Sequence, residues 1–413
     1  MRKPELLAPA GDLARLRAAV DFGADAVYLA GHAFGMRTAS PNFSFSEMEE
    51  GIAYAHAHGV KVHVACNTTP HNDEIDRIAD FAGKADALGA DAFVVGDLGT
   101  LALLRKTLPH ASLHASVQSG VTNYRTALAL YDLGVSRVVL ARELTLEEIA
   151  DIRAKTPAEL ELEAFVHGAM CVSRSGRCLL SSYMTGRDAN RGDCAQPCRW
   201  RYHLVEEKRP GEFYEIGEDE QGSYILNAND LCMAEHIGEL AAAGVSSLKI
   251  EGRAKTGYYV AVTTNAYRGA IDAWAEDPTS ATPDWVVREL NKISHRAYST
   301  GFYFGPPHNA QTYSTADYIR DYEVAAVVEG YEDGCLLLTL KNRFTAGTVL
   351  DCLEPGRAPF SLPTQGLTDE NGAPVETANR PTMRLRLPYD RAVRVGSLLR
   401  RNRIGENEHE EKR

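Results

Sequence analysis

Four of the eight cysteines in this 413-residue chain fall within one stretch, CVSRSGRCLLSSYMTGRDANRGDCAQPC, between residues 171 and 198. Their spacing is Cys171-x6-Cys178-x15-Cys194-x3-Cys198, with Cys232 a further 33 intervening residues along. Thiolates at close spacing bind metal or do redox chemistry when the compartment is reducing, and cross-link when it is oxidising. The start, MRKPELLAPAGD, meets Pro4, Glu5 and Asp12 before an apolar run can form, so we expect no signal peptide and a cytoplasmic protein. No apolar run approaches the ~18 residues of a membrane span. Metal binding is therefore the leading expectation. Structural zinc favours paired Cys-x2-4-Cys knuckles, and only the Cys194/Cys198 pair is that close. A larger iron–sulfur cluster accepts more widely separated thiolates, so the spacing fits a cluster more easily while zinc stays open.

Two other chemistries compete for the same residues. Cys171 lies near His167, and a Cys/His pair can generate a nucleophilic thiolate, but one nucleophile leaves three neighbouring thiols unexplained. Hydrolase signatures such as HExxH and GxSxG do not occur in the chain. The segment 171–201 also carries Arg174, Arg177, Arg187, Arg191, Arg199 and Arg201 against only Asp188 and Asp193, a basic island in a chain of formal charge −12. That balance excludes a protein that coats nucleic acid over its whole surface, yet it allows a local anion site.

The elements that must position these groups recur along the first 250 residues. AAVDFGADAVYLAG, AYAHAHGVKVHVACN, KADALGADAFVVGD, ALYDLGVSRVVLARE and LAAAGVSSLKIEGR each read as a helix end, a glycine and a buried strand. Gly23, Gly59, Gly89, Gly134 and Gly244 suit the left-handed position after a helix, and the β-branched runs suit a parallel strand covered on both faces. ELLAPAG, LHASVQSG and LELEAFVHGAMC add three strands. Eight strands alternating with helices predict an α/β fold, a (β/α)8 TIM-like barrel, rather than an open sheet with a glycine-rich phosphate loop. Ser46 to Glu49 reads as a capping box, and Asn229 or Asp230 as the cap of a helix carrying Cys232.

Barrel enzymes work at the C-terminal ends of their strands. Those ends are Cys66 and Asn67, Asp97, Ser116 and Gln118, Arg142 and Glu143, His167, and Glu251 and Arg253. Nearly eighty residues separate the seventh strand from the eighth, so the cysteine stretch is an insertion (about 168–235) that leaves from the mouth. We expect the barrel to span 1–275, a linker or packing segment 276–320, a small C-terminal β-barrel 321–405 opened by a hairpin turn at Tyr331 to Gly334, and a polar tail 406–413. Cys335 and Cys352 read as core residues of that second domain.

The stretch EAFVHGAMCVSRSGRCLLSSYMTGRDANRGDCAQPCRW and the later SLKIEGRAKTGYYVAVTTNAYR resemble peptidase family U-32, the collagenase-like group. The signature E-x-F-x-x-G-A-x-C-x6-C-x-L-S is intact from Glu163 to Ser181. Within the family, TGRDANRGDCAQPCRW is most similar to the proteins of prephenate-dependent tRNA uridine 5-hydroxylation. The resemblance implies a 4Fe-4S cluster held by Cys171, Cys178, Cys194 and Cys198, with Cys232 a candidate replacement for Cys198. It implies prephenate as co-substrate, tRNA bound through its anticodon stem-loop and room for a paralogous partner subunit; among the strand-end residues Arg142, Glu251, Arg253 and His167 are the candidate catalytic residues. Arg142 and Arg253 suit the two carboxylates of prephenate. The alternatives are a U-32-type endopeptidase, hydroxylation of another RNA or of a small molecule, and a scaffold in which metal only staples the insertion.

Overall fold

The computed structural model describes residues 3–35, 41–170, 180–187, 189, 192–197, 204–205, 213–214, 218–219, 222–223, 229–305 and 321–403. Strands β1 (Glu5–Pro9), β2 (Ala26–Leu29), β3 (Lys61–Cys66), β4 (Ala92–Val95), β5 (Ser112–Ala115), β6 (Arg137–Val139) and β7 (Glu161–Ala169) pair in sequence order, all parallel. After β8 (Asp230–Cys232) comes β9 (Ser247–Ile250), which pairs parallel with both β7 and β1 and closes an eight-stranded barrel. The expected (β/α)8 architecture is present, with β9 as its eighth stave.

Helices α1 (Leu13–Asp21), α2 (Phe45–Ala57), α3 (Ile75–Ala87), α4 (Leu98–Thr107), α5 (Tyr124–Asp132), α6 (Leu146–Ala154), α7 (Leu180–Thr185), α8 (Ile237–Ala242) and α9 (Gly257–Glu276) follow in order. The five glycines of the recurring αβ unit all have positive φ, from 73° to 98°, as a left-handed exit from a helix requires. Two capping expectations are corrected. The box at α2 uses Ser44 and Glu47, two residues earlier than expected, because the Ser44 side chain reaches the Glu47 amide. Asn229 and Asp230 cap no helix. Residues 230–232 form β8, which runs antiparallel to the end of β7, and Asp230 instead accepts the Arg296 amide at 3.2 Å.

The segment after α9 packs against the barrel. Helix α10 (Asp284–Leu290) buries Val286 and Leu290, and β10 (Tyr298–Ser299) adds to the sheet beside β8. Beyond it a second core forms between β11 (Tyr322–Glu332), β12 (Cys335–Leu340), β13 (Val349–Leu353), β14 (Phe360–Pro363), β15 (Thr368–Asp369), β16 (Arg384–Pro388) and β17 (Leu398–Asn402). Their order is β14-β13-β17-β11-β12-β16-β15, an antiparallel half-barrel with two free edges and not a closed barrel. Asp333 and Gly334, both at positive φ, make the two-residue turn between β11 and β12. Cys352 is buried in this core, as expected, and Cys335 is half-buried.

One charged knot ties the half-barrel to the barrel. Arg400 on β17 is fully buried and donates to Glu289 of α10 at 2.5 Å, to Asp351 of β13 at 2.9 Å and to the Tyr258 hydroxyl of α9 at 3.3 Å. Lys292 joins Glu289 and Asp351 at 2.8 and 2.5 Å, and Asn265 of α9 bonds the backbone of Gly356 and Arg357. Removing one partner of such a group strands buried charge. We predict that Arg400→Ala costs about 3–5 kcal/mol in urea unfolding, and that adding Glu289→Gln recovers part of the loss in a double-mutant cycle.

Candidate active site

The barrel strands alternate, and the residues that point inward are polar to an unusual degree. Barrel interiors are ordinarily packed with branched apolar side chains. Here Glu5, His63, His114, Arg137, Glu163, Ser247 and Lys249 occupy the lumen. Arg137, 3% exposed, donates to Glu5 at 2.6 Å, to Glu161 at 2.7 Å, to Glu163 at 3.1 Å and to Ser247 at 3.2 Å. The other carboxylate oxygen of Glu163 receives the Lys249 ammonium at 2.6 Å. Burial alone would raise the pKa of both acids. Arg137 overrides it at Glu5, which falls from 4.5 to about 2, and Lys249 with Arg137 lowers that of Glu163.

Lys249 carries this network up to the mouth. Its ammonium lies 4.6 Å from the centre of the Tyr28 ring and 5.5 Å from that of Phe165. The Arg142 guanidinium stands 4.0 Å from the same Phe165 ring and donates to the carbonyl of Ala169, the last residue of β7. Tyr28 hydrogen-bonds the Ile250 carbonyl at 3.0 Å and the Glu251 carboxylate at 3.3 Å. The floor of the mouth is thus two aromatic rings, with Lys249, paired to Glu163, beneath and the Arg142 guanidinium at the rim.

The remaining strand ends divide by role. Arg253 is buried, and a Cβ on Gly35 would come within 3.2 Å of its guanidinium, so the loop after β2 is laid directly over it. Asn67, Ser116 and Gln118 form one cluster: Asn67 and the Gln118 amide each lie 3.4 Å from Ser116 Oγ, and Gln118 closes against Gly96. Glu143 follows Arg142 in the turn after β6 and is half-buried. Asp97 is occupied as the N-cap of α4, accepting from the Thr100 amide at 2.7 Å. Cys66 is a core residue whose thiol burial pushes up to about 12.

His167 is not among the mouth residues. Its ring faces outward from β7 into a nest of Tyr259 and Tyr267 of α9 and Tyr298 of β10, with centroids 5.4–5.9 Å away. Burial lowers its pKa from 6.5 to about 3, so it sits there neutral. The reason is a register shift: Lys249 pairs with Phe165 but Ile250 with His167, so Val166 is an extra residue in β7 that turns the next side chain over. Gly168 has φ of 105°, and a Cβ there would lie 2.5 Å from the Glu251 carbonyl.

Of the cysteines, Cys171, Cys178 and Cys198 lie outside the described residues. Cys194 is exposed, and its sulfur accepts the Gln196 amide at 3.4 Å, the kind of donor that supports a ligating thiolate. Arg187, in the same segment, pairs with Asp193 at 2.6 Å. Cys232 pairs in register with His167 across β7–β8, its sulfur 4.0 Å from the Tyr267 hydroxyl and its thiol pushed by burial up to about 11. Cys171 follows Ala169, whose carbonyl Arg142 holds, by two residues. Among the described residues no group of three or more acidic, histidine or cysteine side chains is placed to hold a metal.

Comparison with known proteins decides the family. The model of peptidase family U32 matches residues 11–313, and that of the U32 C-terminal domain matches residues 320–400. The chain belongs to peptidase family U32. A family member named tRNA hydroxylation protein P from Escherichia coli (strain K12) is 35% identical, covering 98% of each chain. An uncharacterized protease of Methanocaldococcus jannaschii is 42% identical over 79% of this U32 chain and 81% of its own. The 23S rRNA 5-hydroxycytidine C2501 synthase of E. coli is 38% identical over 72% of this chain and 45% of its own length. No helix among the described residues of this U32 protein is long and apolar enough to cross a membrane.

Sequence reasoning named Arg142, Glu251 and Arg253 but missed Tyr28, Phe165, Lys249 and the charges below them. A signal was present: in ELEAF, SLKI and KVHVAC a charged or imidazole side chain recurs at every second place of an apolar strand. The lumen predicts a pH dependence. Burial, reinforced by Arg137, lowers the pKa of His63 from 6.5 to about 4. The unfolded chain therefore takes up a proton where the folded chain does not, and stability complete above pH 6.5 is lost as pH falls through that window toward 4. The non-titrating variant His63→Gln is expected to lose about 2 kcal/mol less than the parent between ~pH 7 and ~pH 5. Equal pH slopes in urea unfolding would show that the His63 ring is not held neutral.

Proposed function

We propose that this U32 protein is a tRNA-modifying iron–sulfur protein that supports oxygen-independent, prephenate-dependent 5-hydroxylation of the wobble uridine of tRNA. The observation that carries the reading is end-to-end similarity to a tRNA hydroxylation protein together with the Arg142 guanidinium held over the Phe165 ring at the mouth. The similarity to an rRNA hydroxycytidine synthase agrees with hydroxylation of a pyrimidine ring.

In this reading Arg142 and Arg253 bind the carboxylates of prephenate. Arg142 is aimed by the Phe165 ring and the Ala169 carbonyl. Tyr28 orients Glu251 at the other side of the mouth. Cys171, Cys178, Cys194 and Cys198 hold a 4Fe-4S cluster, with Cys232 the alternative to Cys198. Its buried thiol must lose a proton and leave the Tyr267 hydroxyl to serve. When bound, the cluster would supply one-electron chemistry. His167 packs β7 against α9 and stands in register with Cys232.

The test joins two measurements: iron and sulfide analysis of anaerobically purified protein, and mass spectrometry of tRNA nucleosides from a deletion strain. We expect about four irons and four sulfides per chain and loss of 5-hydroxyuridine that the parent gene restores. A colourless zinc protein, or unaltered hydroxyuridine, overturns the reading. Restoring Cys198→Ala and Cys232→Ala separately identifies the fourth ligand, since only its loss lowers the iron content. Arg142→Ala and Arg253→Ala are each expected to reduce hydroxylation roughly 10- to 100-fold while the iron content stays unchanged.

A further inference from the structure

The half-barrel carries a cluster of cations that the mouth does not use. Lys341 and Arg343 occupy the loop after β12, Arg380 the loop before β16, and Arg384 opens β16; all four are exposed. The two loops run side by side. Leu340 donates its amide to the Met383 carbonyl on one flank, and Phe344 pairs with Ala378 on the other. Among the described residues Lys341, Arg343 and Arg380 form no salt bridge, whereas Arg384 reaches Glu329 at 4.0 Å and the Thr339 hydroxyl at 2.7 Å. Of the nearby acids, Glu323 holds Arg401 at 2.9 Å and Arg403 at 3.7 Å, Glu329 faces Arg384, and the exposed Glu376 lies two residues before the Ala378 pair. Three cations without an ion pair among the described residues therefore stand on adjacent loops in a chain of net charge −12.

Their place follows from β17. It begins near the bottom of the barrel, where Gly396 approaches Asp21 at the end of α1. It climbs to Arg400, which bonds Tyr258 in the first turn of α9, just past the mouth residues Glu251 and Arg253. Val324 of β11 pairs with Arg400, and its carbonyl accepts the Asn342 side chain at 2.8 Å, while Lys341 donates its amide to Ala325 at 2.8 Å. The cationic loops thus stand at the end of the half-barrel that is level with the mouth.

We propose that Lys341, Arg343, Arg380 and Arg384 form a phosphate-binding rim that grips the RNA backbone while a nucleoside reaches the mouth. The proposal rests on the reading of this protein as an RNA-modifying enzyme, because what favours RNA over other polyanions is the substrate of its relatives. Exposed guanidinium and ammonium groups held at the edge of a rigid sheet contact phosphates without reading bases, so their contribution is independent of sequence and strongly dependent on salt.

The experiment measures binding of a tRNA transcript to the full-length protein between about 50 and 200 mM salt. The variant Lys341→Ala/Arg343→Ala/Arg380→Ala is expected to bind roughly 10- to 100-fold more weakly, with a slope of log K against log salt shallower by about 2. The charge-keeping Lys341→Arg/Arg343→Lys/Arg380→Lys retains both, which separates charge from folding. If the parent binds tRNA and the alanine variant matches its affinity and slope, the rim is refuted while the RNA reading stands. If the parent binds no tRNA at the lowest salt, both fall.

Discussion

Arg137 is a charge buried at the bottom of a barrel, and much of the interior is arranged to neutralise it. A guanidinium taken out of water is tolerated only where carboxylates and hydrogen-bond acceptors surround it. Glu5, Glu161, Glu163 and Ser247 come from three different strands to meet that requirement. Two of those strands, β1 and β9, are the ones whose pairing closes the barrel, so charge compensation and closure reinforce one another. Glu163 then has an oxygen to spare for Lys249, and that pairing seats the ammonium under Tyr28 and Phe165. The rings of the mouth are in this way tied to the charges on the floor of the barrel.

Strand β7 is the second organiser. It pairs with β6 and β9 as a barrel stave and then continues past the barrel to pair with β8. The slip at Lys249/Ile250 separates these two uses. Before it, Glu163 and Phe165 face the lumen; after it, His167 faces α9. The same strand thus delivers a lumen acid, a mouth ring, the carbonyl that anchors Arg142 and the approach to Cys171.

The repeat of helix, glycine and buried strand made the barrel legible, because parallel strands covered on both faces leave a continuous apolar trace and each helix exit needs a positive φ. The half-barrel was legible from its alternation and from Asp333-Gly334. Its lack of closure was not, since whether the edge strands β14 and β15 meet depends on sheet curvature and not on any local pattern. The cap expected at Asn229 or Asp230 failed for a related reason. Those residues have the right chemistry for a helix start, but the free edge of β7 offered backbone partners and drew residues 230–232 into a strand.

The sequence by itself determined the strand and helix order, the placement of the cysteine-rich insertion after the seventh strand, and the family signature from Glu163 to Ser181. These are properties of local pattern and covalent order. Only the tertiary structure decided that Arg142, Tyr28, Phe165 and Lys249 share one mouth while His167, two residues from Phe165, does not. It also decided that Lys341, Arg343 and Arg380, separated by up to 39 positions in the chain, stand on one edge. The physical reason is the same in both cases: strand register fixes which way a side chain faces, and register is set by pairing between segments that the sequence keeps apart.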